Sequence, residues 1–260
     1  MRAGSLILTI FVLVSVVSPN AVSAQSYGTE LPFVLGTSTR SSAMGVTSID
    51  FMPDAGIQYY NPSVMSSLQF KQFLFSRSTL FESSSLYHTL SYAHPLLNHG
   101  TIGVSILRVD VGGIEERDQS NQLLSSDLHD SQTRILLGYG RSIGSSFAAG
   151  FNLVFDNHAF GDYSGSGVGL DVGISAQQHL WGHSMIKGIR EGFVIRNVLE
   201  PAVKLDREAV SDPMDIGLGL SVLSVIGDMR MVTAINLVNP RYSPASFRLG
   251  QEFTYADHYS

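Results

Sequence analysis

The residues of this chain with chemical potential are few and scattered. The eight histidines are dispersed; His88 and His94 stand near one another, as do His179 and His183. The second pair has the i, i+4 spacing that would put two imidazoles on one helix face, but a metal centre needs further ligands and none stands close. No metal and no cofactor are expected. Asn157-His158 with Ser164 supplies the ingredients of an esterase, yet any long polar loop does the same, and a nucleophile works only with a base in hydrogen-bond reach. The glycine-rich run Gly161–Gly169 lacks a phosphate-loop lysine between a strand and a helix, so a hairpin explains it better than a nucleotide site. The chain is read as non-enzymatic.

Charges that fall on a regular pattern say more. Asp156, Asp171, Asp215, Arg230, Arg248 and Glu252 occupy polar positions in segments where polar and apolar residues alternate. On an enclosed face such charges are costly unless paired or wet. These six are expected to face a lumen and to form ion pairs across it, with solute selection as a second role.

The elements that position them are strands. Phe147, Ala149, Phe151, Leu153 and Phe155 alternate with Ala148, Gly150, Asn152, Val154 and Asp156, and the pattern returns over 168–175 and 215–222. Period two marks half-buried strands. The polar partners are mostly Gly, Ser and Asp, poor fillers for a soluble sheet's second face but suited to a lumen wall. Strands are expected at Gly45–Phe51, Lys71–Leu80, Ser85–His94, Thr101–Asp110, Ser131–Ile143, Ser146–Asn157, Gly167–Ala176, Gly192–Val198, Asp215–Leu223, Met229–Leu237 and Phe247–Tyr255. Asn98-His99-Gly100, Ile143-Gly144-Ser145 and Ile226-Gly227-Asp228 are short turns for one rim. Gly112–Asp130, His158–Gly165 and Pro201–Pro213 are longer outer loops, and Gln177–Arg190 is ambiguous.

Met1-Arg2, the apolar run Leu6–Val17 and the small residues Val22 and Ala24 before Gln25 form a cleaved signal peptide over residues 1–24. The chain has 260 residues, no cysteine, 15% charged residues and a net charge of -6. An exported chain without cysteine is no disulfide scaffold, and its acidic balance argues against nucleic acid. No later apolar stretch is long enough for a membrane-spanning helix, so the mature chain is soluble or crosses as a barrel. A β-sandwich would also alternate, but with strands of about five or six residues. Several runs here reach about nine or ten, the length that crosses a bilayer at a tilt.

One stretch ahead of the strands is unlike them. Leu35–Leu68 holds Arg40, Met44-Gly45, Asp54 and Tyr60-Asn61-Pro62, and its prolines break regular structure. It resembles the opening motif of the PorV/PorQ-like outer-membrane proteins, relatives of the FadL-type lipid transporters. Val46 stands where that motif has glycine, Pro53 where it has aspartate, and Ser63-Val64-Met65 where it has Ala-Gly-Leu. Gly167–Gly173, Phe193–Pro201 and Ile216–Leu220 resemble the family's late strands.

The resemblance implies an all-β fold, an antiparallel transmembrane β-barrel over 25–260 with an N-terminal plug at about 27–68. About 11 strands are visible against about 14 in the family, and single-chain barrels have even numbers. Ser260 is therefore read as a truncation. Arg40, Gly45, Asp54, Tyr60, Asn61 and Pro62 are the expected plug or ligand motif. The implied role is an accessory of type IX-like protein secretion in the outer membrane of a Gram-negative-type bacterium. Its partners would be outer-membrane lipid and secreted cargo or translocon subunits. The alternative is a FadL-like channel for hydrophobic compounds such as fatty acids; the small, polar inward positions count against it.

Overall fold

The structure, a computed structural model, describes residues 33, 36–50, 54–80, 85–180, 185–205, 209–241 and 244–255. The expected signal peptide over residues 1–24, Met52-Pro53, Trp181 and His183 lie outside them. The strands are β1 (Gln72–Leu80), β2 (Ser85–Leu96), β3 (Gly100–Arg117), β4 (Leu123–Ile143), β5 (Phe147–Phe160), β6 (Tyr163–His179), β7 (Ile186–Leu199), β8 (Ala202–Lys204), β9 (Ala209–Ser211), β10 (Asp215–Ile226), β11 (Met229–Pro240) and β12 (Ser246–Tyr255). Ten of them form one antiparallel sheet in chain order, β7 pairing directly with β10, while β8 and β9 make a separate ribbon. The sheet's edges are β1 and β12. Ahead of it come a short helix, α1 (Thr39–Ala43), and two 3-10 helices, Ala55–Tyr59 and Pro62–Ser67.

Three expectations are corrected. Gly45–Asp50 is no strand, because Gly45 (φ +65°) and Val46 (φ +60°) both turn left-handed after α1 and end any extended run. The sheet therefore has ten strands, not eleven. Gly112–Asp130 and His158–Gly165 are not loops either. Backbone pairing continues through them, with Val111 opposite Asp130, Ile114 opposite Leu128 and Asn157 opposite Ser166. Ladder hydrogen bonds are indifferent to side-chain polarity, so pairing outlasts the apolar pattern from which the strands were read. Pro201–Pro213 is the third correction: it contains the β8–β9 ribbon, folded against the inner face of β6, where a Cβ on Gly167 would fall 2.9 Å from the Ala202 backbone.

The two faces of the sheet are sharply different. Phe75, Leu90, Ile106, Ile135, Phe155 and Val168 lie side by side across β1 to β6 on the outward face. Phe73, Tyr92, Val104, Leu137, Leu153 and Leu170 form the next row, and Ile174, Phe193, Leu218, Leu237 and Phe247 form a further one across β6 to β12. These side chains are presented to the outside: Phe73 is 69% exposed and Phe247 68%. Inward positions instead hold Ser91, Ser105, Arg134, Asn152, Asp156, Asp171 and Asn236, all buried. Glu191 shares the outward face by register but is only 7% exposed.

The hydrophobic core lies inside the curve of the sheet. Ile57, Tyr59, Tyr60, Val64 and Met65 of the N-terminal segment pack there against Tyr87, Leu107, Leu136 and Val154 of the wall. Among the described residues no helix is long and apolar enough to cross a membrane.

Candidate functional site

The candidate site is the interior and the segment that fills it. Asn61 and Pro62 lie at its centre. Asn61 is the N-cap of the second 3-10 helix and Pro62 its first residue, the order in which a side-chain acceptor and a preset φ favour helix initiation. Fully buried, Asn61 accepts from Ser63 N (3.1 Å) and Ser63 Oγ (2.7 Å) and donates to Ile49 O (2.8 Å). Asp54 caps the first 3-10 helix, Oδ1 accepting from Gly56 N at 2.8 Å; burial lifts its carboxyl above the usual range. The Tyr60 hydroxyl accepts from Thr37 N (3.1 Å) and Ser41 Oγ (2.6 Å), and burial raises its phenol. Gly45 terminates α1, its N–H bonded to Ser42 O.

Arg40 reaches outward from α1 and donates through Nε and Nη2 to the Glu252 carboxylate on β12, at 2.7 and 2.6 Å. That bond is the chief reason its guanidinium is held above its ordinary pKa. On the other side of α1, Ser38, Thr39 and Ser42 share a cavity with Ser76 and Ser78 of β1. Thus α1 stands between the two edge strands of the sheet.

The wall is cut to this segment by inward glycines. A Cβ on Gly150 would sit 2.6 Å from Pro62 C and Ser63 N; on Gly103, 2.5 Å from Gln58 Oε1; on Gly192, 2.5 Å from Ile49 O; on Gly217, 2.7 Å from Ile49 Cδ1. Gly140, Gly173 and Gly250 press equally close on Pro62, Asn61 and Met44. The wall also bonds to the segment, Asn152 Nδ2 donating to Gln58 O at 2.9 Å, Thr89 to Thr37 O at 2.9 Å and Tyr87 to Gly36 O at 2.8 Å. From β2 round to β12 the inward face of the sheet is covered by this segment.

Five of the six expected lumen charges take part in this interior, bonded to adjacent strands, to the β7–β10 connection or to the N-terminal segment. Asp156 binds Arg134 on the adjacent strand through two contacts of 2.7–2.8 Å, and Arg134 also binds Asp212 of the β7–β10 connection. Asp215 binds Arg196 at 2.5 and 3.1 Å. Asp171 accepts from Asn197 N (2.9 Å) and Asn152 Nδ2 (3.1 Å), holding the bulge where Asn197 adopts φ +53°. Arg248 reaches Val46 O at 3.4 Å, and Glu252 holds Arg40. Arg230 stands exposed near the Gly227-Asp228 turn, apart from the others.

Reading from sequence missed Arg134, Arg196, Asp212, Gln58 and Asp50. Asp50 is 2% exposed, and a Cβ on Gly219 would lie 2.5 Å from its Oδ1. Its Oδ2 has no hydrogen-bond partner, and burial, opposed by a Ser221 hydrogen bond and by Arg190, pushes its carboxyl up to about 7. It lies in the wall of a polar cavity of about 440 Å³ at the short-turn end, shared with Arg190, Gln177 and several serines. The signal available was the run of inward glycines on the facing strands. Among the described residues no group of three His, Cys, Asp or Glu side chains is placed to hold a metal. Comparison of the chain with protein-family models and with curated proteins found no match.

Proposed function

We propose that the chain is a non-enzymatic outer-membrane β-barrel protein whose lumen is permanently plugged by its own N-terminal segment. The observation that carries this reading is the inversion of the sheet: apolar rows outside, glycine and bonded polar groups inside, against a buried segment. A soluble sheet buries its apolar face, and contiguous exposed apolar surface beyond a few hundred Å² marks a partner or a membrane. In a bilayer the backbone groups of β1 and β12 would need partners, and the family this chain resembles meets that need with a closed barrel.

Within that class we favour the PorV/PorQ type, an accessory of type IX-like secretion that presents its outer end to cargo or translocon subunits. A filled, glycine-fitted lumen supports a scaffold over a conduit; a FadL-like channel would need a continuous apolar path, and Gln58, Asn61, Asn152 and the Arg134 cluster interrupt it. Fractionation tests the class: the protein should sit in the outer membrane and change gel mobility on boiling, whereas a soluble periplasmic protein with no shift contradicts it. Cross-linking from the outer end should then capture protein partners, and saturable fatty-acid binding without them favours the channel.

A further inference from the structure

On the outward face the apolar rows end abruptly at one level. Directly beyond Phe75, Leu90 and Ile106, the next outward residues on β1, β2 and β3 are Arg77, His88 and Arg108, neighbours in register. Side chains directly opposite on adjacent antiparallel strands have Cβ atoms roughly 4.5–5.5 Å apart, so His88 stands between the two arginines and within reach of both. Arg77 is exposed, and it pairs with no described residue; nor does His88. Arg108 is held by Asp110 at 2.6 Å while its side chain stays 49% exposed, and its Nη1 lies 3.5 Å from Thr133 Oγ1 on β4.

We propose that Arg77, His88 and Arg108 form a binding site for the phosphomonoester headgroup of a membrane lipid in the leaflet at the long-strand end, opposite the short turns. The inference rests on the membrane reading above. Guanidinium groups bind phosphate through paired N–H donors, and the site lies where such a headgroup lies when its acyl chains follow Phe73, Phe75, Leu90 and Tyr92. Charge complementarity supplies the reason for the cluster: Asp110 offsets Arg108 in part, Arg77 has no acid partner among the described residues, and a phosphate neutralises the remainder while the His88 ring between them offers an N–H donor. Asp110 also fixes the Arg108 fork.

The full chain is folded into phosphatidylcholine vesicles containing a small fraction of phosphatidic acid, and lipid co-purifying with the barrel in detergent is counted by mass spectrometry. Wild type should retain phosphatidic acid well above its share of the vesicle, and removal of either arginine should reduce that enrichment roughly fivefold. Arg77→Gln with Arg108→Gln should lose it, and Lys71→Gln, which alters a cation at the opposite end of β1, should keep it. Excess inorganic phosphate should not displace the lipid, because the acyl chains contribute. Equal retention by wild type and the double variant overturns the proposal, as does displacement by free phosphate. Insertion, read by gel shift on boiling, separates the two failures: insertion without enrichment overturns this site alone, and failure to insert overturns both.

Discussion

Replacing Asp50 with Asn should remove most of the pH dependence of this protein's stability between pH 5 and 8. The carboxyl is 2% exposed, in a niche bounded by Gly192 and Gly219, and burial outweighs Ser221 and Arg190 to lift its pKa from 3.8 to about 7. Each tenfold change in proton preference is worth ~1.4 kcal/mol. The gap between 3.8 and about 7 is roughly three such steps, so ionising Asp50 in the fold costs about 4 kcal/mol more than ionising it in the unfolded chain. Because the folded pKa is the higher one, the folded state holds a proton that the unfolded chain has released. Stability is therefore greatest below pH 3.8, falls as pH rises to about 7, and is level above. From pH 5 to pH 8 the fall should be roughly 3 kcal/mol. Urea titrations of vesicle-inserted protein, scored by gel mobility without boiling, would measure it at both pH values. Asp50→Asn should be nearly level over that range relative to wild type. An equal drop in both proteins would refute the placement of an ionisable Asp50 in that niche.

Other perturbations follow from the same geometry. Gly150→Ala drives a methyl group into the Pro62–Ser63 backbone and should cost about 1–3 kcal/mol by the same titration. Arg134→Leu leaves Asp156 and Asp212 buried without their cation and should lower stability by about 3–5 kcal/mol; adding Asp156→Asn and Asp212→Asn should recover much of the loss. Arg40→Ala removes a half-exposed pair with Glu252, and a change of only about 0.2–1 kcal/mol is expected. Leu153→Arg, in the second outward apolar row, should cost about 2–4 kcal/mol on insertion, against about 0–1 for Asn157→Arg beyond the first row.

The wall was legible in the sequence, and most of its contents were not. Alternation such as Phe151-Asn152-Leu153-Val154-Phe155 is a local property, so ten of the strands could be read from it, apart from ends that continue where outward residues become polar at Arg108 and Asn157. Gly45–Asp50 misled because Val46 is a strong strand former, and only the backbone turn beside Gly45 excludes it. Asn61 and Pro62 announced a break, while the capping role of Asn61 came only with the structure. That the break lies against Gly140, Gly150 and Gly173 depends on strands 78 to 112 residues away, which no local pattern encodes. The ion pairs failed for a related reason: inward parity could be read for Asp156 and Asp215, but their partners Arg134 and Arg196 are set by register.

The account stands on which face of the sheet meets lipid. The chain has no cysteine, so single cysteines at 151, 152, 153, 154 and 155 can each carry a fluorophore in vesicles containing bromine-labelled acyl chains. Strong quenching at 151, 153 and 155 with little at 152 and 154 is the result expected of an apolar face in the bilayer around a plugged lumen. Uniform weak quenching at all five positions would contradict it and return the chain to water.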